Sequence, residues 1–253
     1  MTATPPLSAL ALDGIPEVRA GDDLAAAIAA ALPADLVGGD VVSIAHKVVS
    51  KAEGRTRRLA DIAPGERARE LAAEHDKDAR VVQAVLDESA TVLRARHGVL
   101  ICETRHGLIC ANAGVDRSNA ADPGELILLP ADPDGSARAL RAGIAASRGV
   151  APAVVISDSF GRAWRLGQTD VAIGAAGLVA LDDWRGRRDS YGRELRSTAI
   201  AVADAIAAAA DLARAKDANQ PAVLLRGLGR FVTASDGPGA MSLRRPAADD
   251  LFR

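Results

Sequence analysis

Residues 154–178, VVISDSFGRAWRLGQTDVAIGAAGL, change abruptly from an apolar run to small and polar residues. The apolar run, which begins at residue 153 and ends at 156, predicts a buried strand. That strand is expected to stop at Ser157, because the residues from there to 162 are mostly small, polar or charged and glycines recur at short intervals beyond them. Asp158 would then lie at the end of a buried strand.

Further strands and helices are predicted on both sides of this stretch, and they do not alternate regularly. Apolar runs between turn residues predict strands at 7–12, 41–45, 99–103, 108–113, 126–130 and 222–225. Helical spacing or high alanine content predicts helices at 24–32, 67–95, 136–147 and 197–215. The mixture predicts an α/β fold of mixed α+β character rather than a barrel. A length of 253 residues suits one large domain or two small intertwined ones, and we expect a single domain over residues 1–253.

The composition argues against several classes of protein. Hydrophobic residues make up 49% of the chain, which is enough for a sizeable core. The 31 basic and 33 acidic side chains leave a formal net charge of −2, whereas nucleic-acid binders usually carry a basic excess. Aromatic residues are only 2%, so stacking platforms for bases are not expected. We therefore expect no nucleic-acid partner.

The sequence also predicts a cytoplasmic protein with no membrane segment. The N-terminal residues lack the basic stretch of a signal peptide, and the uncharged run at 171–181 is much shorter than the roughly 20 residues of a membrane helix. Cys102 and Cys110 lie symmetrically about a predicted hairpin turn at His106. That spacing would allow a disulfide, but two reduced cysteines are the favoured interpretation.

Common nucleotide-binding, hydrolase and zinc motifs are absent from the sequence. There is no GxxxxGK[ST], no GxSxG and no CxxC, and the Gly-Leu-Gly at 227–229 lacks the third glycine of a dinucleotide site. An ordinary P-loop, a serine hydrolase and a structural zinc site are therefore not expected.

Two aspartates and two lysines remain as candidates for phosphate chemistry. Asp158 ends the predicted strand, and Asp116 lies in a glycine-flanked loop. Carboxylates in such places can share Mg²⁺ with phosphate oxygens. Lys47 and Lys51 follow the strand predicted at 41–45 and could neutralise phosphates. The alternative is that the aspartates cap turns and the lysines are ordinary surface residues.

A polar cluster follows Asp158, in which Arg162, Arg165 and Gln168 surround Trp164. Guanidinium groups suit carboxylate or phosphate oxygens, to which they can donate two hydrogen bonds at once. The equally favoured alternative is an exposed helix start with Trp164 anchored in the core.

Five segments occur in a characteristic order along the chain. They are DGIPEVRAGDDL (13–24), GDVVSIAHKVVSKAEGR (39–55), GLICANAGVDRSN (107–119), the stretch at 154–178 and RDSYGREL (188–195). Together they resemble the coenzyme F420-0:L-glutamate ligase family, the γ-glutamyl ligases of coenzyme F420, and the resemblance runs from Gly14 to Phe252. The ending RRPAADDLF (244–252) is similar to the junction at which fused members continue into a nitroreductase-like flavin domain. Since this chain stops at Arg253, it resembles the stand-alone form.

The resemblance implies a GTP-dependent ligase of coenzyme F420 biosynthesis. In that family the γ-phosphoryl group of GTP passes to a carboxylate of F420-0, and the amine of L-glutamate attacks the acyl phosphate to form an amide. Further γ-linked glutamates can follow. The resemblance also implies the family's unusual α/β fold, an intertwined homodimer, and Mg²⁺ or Mn²⁺ as cofactors, with K⁺ as a further candidate.

Individual roles follow from the same resemblance. The metal-binding positions match Asp116, Asp158 and Ser159. The nucleotide-contacting positions match Ile15, Pro16, Glu17, Val18, His46, Lys47, Lys51 and Asn119. Arg162 and Arg165 remain candidates for holding a substrate carboxylate or phosphate. The predicted catalytic residues are Asp116, Asp158, Lys51 and Arg162.

Three positions depart from the family's pattern. His46 stands where members usually carry Ser or Thr, and Ser159 replaces a usual Thr while keeping the hydroxyl. Archaeal members carry a Gly-Gln pair after the long Ala-rich helix, where this chain has Ala-Lys-Asp at 215–217. Because an ammonium group cannot bind a metal, we hypothesise that Lys216 supplies the charge of a missing metal ion. These departures keep open a paralogous ligase for another carboxylate or amino acid, and a non-catalytic nucleotide- or deazaflavin-binding protein.

Overall fold

A computed structural model describes residues 6–120 and 122–251 as a mixed arrangement of helices and strands. The strands are Ser8–Ala11 (β1), Val41–Ala45 (β2), Thr56–Arg58 (β3), Ser89–Arg96 (β4), Val99–Thr104 (β5), Ile109–Ala111 (β6), Glu125–Ile127 (β7), Ala153–Arg162 (β8), Arg165–Ala176 (β9), Leu181–Asp183 (β10), Ala199–Ala201 (β11) and Ala222–Arg226 (β12). The helices are Leu24–Ala31 (α1), His46–Ala52 (α2), Glu66–His75 (α3), Ala79–Glu88 (α4), Pro133–Arg148 (α5) and Val202–Ala213 (α6). The mixed α/β class predicted from the sequence is confirmed.

The central sheet has the strand order β1–β12–β2–β8–β9. β2 and β8 run parallel, and the other neighbouring pairs run antiparallel. Successive side chains of a strand point to opposite faces. One face, which includes Ile44 and Ile156, packs on α1 and α5, and the other, which includes Val41 and Val155, packs on α6. Helices on both faces explain why the paired parts of β2 and β8 are almost entirely apolar.

Residues 56–127 form two smaller sheets and two helices outside the central sheet. β4, β5 and β6 form an antiparallel sheet, and β3 pairs with β7. α3 and α4 pack on β5 through Leu71, Val85 and Leu100. Because β6 also contacts β8, the loop that follows β6 and contains Asp116 lies beside the central sheet.

The single helix predicted at 67–95 is wrong, because this segment forms two helices and a strand. α3 ends where Asp76 adopts a left-handed conformation, with φ at 52°. α4 begins after Asp78, whose side chain accepts a hydrogen bond of 2.9 Å from the backbone N–H of Arg80. From Ser89 onward, hydrogen bonds to β5 replace those of the helix. Apolar residues follow helical spacing within α3 and within α4, but the two helices are interrupted at residues 76–78.

The strand end predicted at Ser157 is also wrong. β8 continues to Arg162 and forms a long hairpin with β9, since its small polar side chains leave the backbone pairing intact. Trp164 lies in the hairpin turn with φ at 59° and is 83% exposed. It therefore neither starts a helix nor anchors in the core.

The other predicted elements are present, with shifted ends. The helix predicted at 197–215 is shortened to α6, because β11 pairs with β10 just before it. Cys102 and Cys110 lie opposite each other across β5 and β6 as free thiols. Burial raises the pKa of the Cys110 thiol to about 12, so it is a poor nucleophile at neutral pH.

Among the described residues, no helix is long and apolar enough to span a membrane. Residues 1–5 of the N-terminal segment, and Phe252 at the end of the family resemblance, lie outside the described residues.

Candidate active site

An open cleft of about 1060 Å³ lies at the point where β2 ends beside β8. Ala45, the last residue of β2, is opposite Ser157 of β8, and the next residues of both segments line the cleft. The carboxyl ends of parallel strands are the usual ligand site of open α/β sheets. The polar lining residues are Glu17, His46, Lys47, Lys51, Asp116, Ser118, Asn119, Ser157, Asp158, Ser159, Gln168, Asp170, Arg214, Lys216, Asn219 and Gln220.

The cleft brings together almost all the site residues that the sequence predicts. All eight residues of the predicted nucleotide-contacting set line the cleft, namely Ile15, Pro16, Glu17, Val18, His46, Lys47, Lys51 and Asn119. The three residues of the metal-binding set, Asp116, Asp158 and Ser159, line it too. Arg162 does not: it lies near the hairpin turn, where its guanidinium donates to the carbonyl of Leu166 over 2.6 Å. The geometry gives no support to its predicted role in holding substrate.

Lys47 holds the loop that carries Asp116. Its Nζ lies 2.7 Å from Asp116 Oδ2 and 3.2 Å from Asn119 Oδ1, and it also donates to the Ser118 hydroxyl. The backbone N–H of Ser118 donates to Asp116 Oδ1 over 2.8 Å. Burial raises the pKa of Asp116, but the hydrogen bonds from Lys47 and Ser118 outweigh burial and hold the pKa below its usual value. Asp116 is therefore an anion at neutral pH.

Lys51 lies one helical turn after Lys47, so both side chains project from the same side of α2. Its Nζ lies 2.6 Å from Glu17 Oε1. Glu17 belongs to the loop before α1, and this ion pair fixes that loop at the edge of the cleft. Two ammonium groups therefore lie along one wall.

Asp158 is held by the backbone of its own strand and by His46 of α2. Its Oδ1 accepts a hydrogen bond of 2.8 Å from the backbone N–H of Ser159. His46, the buried first residue of α2, places Nε2 3.2 Å from the same oxygen. The other ring nitrogen, Nδ1, lies 3.4 Å from the hydroxyl of Ser50.

Asp170 forms the base of the cleft and was missed in the sequence analysis. Its Oδ2 accepts hydrogen bonds from Ser157 Oγ at 2.8 Å and from Arg214 at 2.6 Å. Its Oδ1 accepts from Ser159 Oγ at 2.6 Å, and Lys216 Nζ lies 3.5 Å away. Burial raises the pKa of Asp170, but the hydrogen bond from Ser159 and the charge of Arg214 outweigh it, and the pKa is lowered.

Lys216 lies beside the hydroxyl that the family resemblance assigns to a metal. Its Nζ is 3.0 Å from Ser159 Oγ and 2.6 Å from Asp211 Oδ1, and its side chain is 66% exposed. The ammonium group is thus within reach of the cleft, as the charge-replacement hypothesis requires.

The signal for Asp170 was present in the sequence but depended on strand register. In the β8–β9 hairpin, Asp170 lies directly opposite Ser159. Because β8 was expected to stop at Ser157, that pairing could not be predicted. Arg214 follows the end of α6 and gave no local signal at all.

The oxygen donors of the cleft fit a hard divalent cation. Asp116, Asp158 and Ser159 offer the carboxylate and hydroxyl oxygens that Mg²⁺ and Mn²⁺ prefer. Within the described part of the chain, no group of three or more His, Cys, Asp or Glu side chains could hold a metal ion by itself. Mg²⁺ commonly relies on one or two carboxylates while phosphate oxygens and water complete its coordination. The donors therefore suit a cation that is bound together with a nucleotide.

Comparison with known proteins identifies the family of this chain. A family model described as F420-0:gamma-glutamyl ligase matches residues 14–227. Proteins named coenzyme F420:L-glutamate ligase from Methanothermobacter thermautotrophicus, Methanopyrus kandleri and Halobacterium salinarum are 44%, 46% and 47% identical to this chain. Each comparison covers 98% of this chain, and 99%, 99% and 96% of the respective relative.

Proposed function

The chain belongs to the F420-0:gamma-glutamyl ligase family, and on that premise we propose that it is a GTP-dependent ligase of coenzyme F420 biosynthesis. It forms an amide between L-glutamate and the carboxylate of F420-0, and it can add further γ-linked glutamates to F420. The observation that carries this proposal is one cleft of about 1060 Å³ in which carboxylates and ammonium groups meet where β2 ends beside its parallel neighbour β8.

The reaction has two steps. First, an oxygen of the F420-0 carboxylate attacks the terminal phosphorus of GTP, the bond from that phosphorus to the bridging oxygen breaks, and GDP leaves. Second, the amine nitrogen of L-glutamate attacks the acyl carbon and the carbon–oxygen bond to phosphate breaks, so that inorganic phosphate and a proton from the amine are released. A carboxylate is already a nucleophile, so the enzyme's task is to position the reactants and to neutralise charge.

The cleft residues are suited to that task. Lys47 and Lys51 bring positive charge to one wall, where they offset the charge of nucleotide phosphates. Lys47 also fixes the Asp116 loop through its contacts with Asp116 and Asn119. The loop at residues 15–18 forms a further wall beside these lysines, at the proposed nucleotide position.

Asp116, Asp158 and Ser159 would hold Mg²⁺ or Mn²⁺, with K⁺ as a further candidate. When bound, such a cation supplies charge neutralisation at phosphate oxygens. Lys216 lies 3.0 Å from Ser159 Oγ, which supports the idea that its ammonium group replaces one cation at that end of the cleft.

We further propose that the chain works in the cytoplasm as a single domain and as the intertwined homodimer of its family. Exposed Trp164, Leu166 and Tyr191 offer apolar surface for such an assembly. Light scattering coupled to gel filtration should give twice the mass of the 26.0 kDa chain, and a monomeric mass would contradict the dimer.

The function is tested by phosphate release from GTP in the presence of Mg²⁺ or Mn²⁺, F420-0 and L-glutamate, followed by mass spectrometry of the products. We expect release to require both co-substrates and the products to be heavier by glutamyl units. Asp158→Asn keeps the shape of the side chain and removes its charge. Compared with the wild type, this variant should turn over at least about 100-fold more slowly.

Two other outcomes would point to the remaining candidates. Turnover with a different carboxylate or amino acid, but none with F420-0, would indicate the paralogous ligase. Tight binding of GTP or F420-0 without phosphate release would indicate a non-catalytic binding protein. The unusual His46 and Lys216 would then be the first residues to explain.

A further inference from the structure

His46 is buried beside the cleft in a way that does not suit direct contact with a nucleotide. It is only 2% exposed, and its two ring nitrogens face protein atoms, Ser50 Oγ at 3.4 Å and Asp158 Oδ1 at 3.2 Å. Nε2 is buried, and although it is close to the carboxylate it makes no aligned hydrogen bond. A buried polar nitrogen of this kind is costly unless it gains a partner.

Asp158 has two inequivalent carboxylate oxygens. Oδ1 is turned toward the protein, where it accepts from the Ser159 N–H at 2.8 Å and faces the imidazole. Among the described residues, no hydrogen bond or ion pair is made by Oδ2, while Asp158 lines the cleft. When Oδ1 is held by the protein, Oδ2 is the oxygen that faces a ligand in the cleft.

We infer that His46 is a positioning residue that acts through Asp158 and does not touch the nucleotide. Nε2 lies 3.2 Å from Oδ1, so that a small adjustment on ligand binding would align its N–H with that oxygen and leave Oδ2 facing the cleft, where a cation would bind. The Ser50 hydroxyl donates to Nδ1, which leaves the ring proton on Nε2, directed at the carboxylate. Partners of this kind orient metal-binding side chains and typically change affinity or activity 10- to 100-fold. The inference rests on the proposed function, because it assigns Asp158 to cation binding.

Two amide substitutions distinguish positioning from simple packing. The side-chain amide nitrogen of glutamine reaches approximately as far as imidazole Nε2, whereas that of asparagine reaches only as far as Nδ1. His46→Gln can therefore restore the contact to Asp158, and His46→Asn is the matched control of the same chemistry but shorter reach. Ser50→Ala removes the hydroxyl that directs the ring proton, and His46→Ala removes the side chain.

The primary measurement is Mn²⁺ binding to the protein with GDP, followed by electron paramagnetic resonance, because it does not depend on turnover. We expect His46→Asn and His46→Ala to raise the Mn²⁺ dissociation constant by about 10- to 100-fold, and Ser50→Ala by a smaller factor. His46→Gln should bring it back to within about threefold of the wild type. In steady-state assays kcat should fall in the same order, while the KM for GTP changes by less than about threefold.

Equal Mn²⁺ binding by the Gln and Asn variants would overturn the inference, as would losses confined to thermal stability. A change only in the KM for GTP would also overturn it, because this would indicate direct contact with the nucleotide. If the wild type itself bound no Mn²⁺ and released no phosphate, the proposed function would fail together with the inference. A wild type that binds Mn²⁺ and turns over, with His46 variants that behave like it, would remove the inference alone.

Discussion

At the scale of single residues, Asp170 connects three parts of the chain at the base of the cleft. It accepts hydrogen bonds from two serines of β8, and it receives Arg214 from beyond α6. Asp170 is 1% exposed and Arg214 8%, so neither charge is well solvated. Removing one member of such a pair leaves the other charge buried without compensation.

Asp170→Asn should therefore lower the free energy of unfolding by about 3 kcal/mol. Urea titration followed by circular dichroism measures this loss. Glu70→Gln, which removes an exposed ion pair with Arg67 far from the cleft, is a suitable control and should cost less than about 1 kcal/mol. Equal losses in the two variants would contradict the central position of Asp170.

The same carboxylate makes stability depend on pH in acid. The folded-state pKa of Asp170 is lowered from its ordinary value of 3.8, so its contribution is complete above that value and is lost as pH falls through the folded pKa. The stability difference between the wild type and Asp170→Asn should therefore shrink when urea titrations are repeated below pH 3.8. A difference that grew toward acid would have the wrong sign.

Lys216 offers a test of charge replacement at the cleft. Lys216→Gln removes the ammonium group beside Ser159 and supplies an oxygen donor in its place. We expect the variant to bind one more Mn²⁺ per protomer than the wild type in the presence of GDP, as counted by anomalous scattering. Asp217→Asn, which alters a neighbouring charge, should leave the count unchanged. The same number of bound Mn²⁺ ions in the wild type and in Lys216→Gln would contradict the hypothesis that Lys216 replaces a metal ion.

At the scale of elements, the packing of β9 on α5 depends on Gly174. A Cβ atom built there would lie 2.2 Å from the carbonyl oxygen of Pro133, which is backbone and cannot move aside freely. Gly161 lies in the same hairpin, and a Cβ there would meet nothing within 4 Å. The two glycines therefore form a matched pair.

Gly174→Ala should lower the free energy of unfolding by about 3 kcal/mol or more, because the strand and the helix must separate to admit the methyl group. Gly161→Ala should change it by less than about 0.5 kcal/mol. Thermal denaturation of both variants measures the difference. Similar melting temperatures would show that α5 can shift away from β9 without cost.

The elements also show how far the sequence could be interpreted. Apolar β2 and β12 and the alanine-rich α1 were predictable, because burial and spacing are local properties. The part of β8 beyond Ser157 was not predictable. It is stabilised by pairing with β9, and its small polar side chains do not favour a strand by themselves. Of the cleft residues, two aspartates and two lysines were candidates from local pattern, and the other predicted ones came from the family resemblance. Asp170 and Arg214 were not predicted. The cleft residues converge from five segments, 15–18, 45–51, 116–120, 157–170 and 214–221, and this convergence depends on strand order, which no local pattern contains.

At the scale of the whole molecule, Arg141 joins α5 to the segment after β12. Its guanidinium lies 2.8 Å from Asp236 Oδ1 and donates to the carbonyls of Pro152 and Thr233 over 3.1 and 3.0 Å. These bonds add to the backbone hydrogen bonds that attach the segment to residues 177–179, such as that of 2.8 Å from the Thr233 N–H to the carbonyl of Gly177.

Arg141→Met should loosen residues 229–243 while the sheet of β4, β5 and β6 remains unaffected. Hydrogen exchange measured by mass spectrometry should show faster exchange in that segment by about tenfold or more, since several charged hydrogen bonds are lost together. Arg138→Met on the same helix is the control and should leave exchange unchanged. Uniformly faster exchange over the chain would indicate global destabilisation instead.

The strand order has a consequence for how the protein is made. In the described part of the chain, β1 pairs only with β12, and β12 is also the strand between β1 and β2. Translation proceeds from the N-terminus, so β1 leaves the ribosome more than 200 residues before its partner strand. Residues 15–18, just after β1, and 214–221, just before β12, supply two walls of the cleft. A nascent chain therefore has no complete cleft until residue 226 has emerged, and a ligand of the cleft cannot assist the earlier stages of its folding.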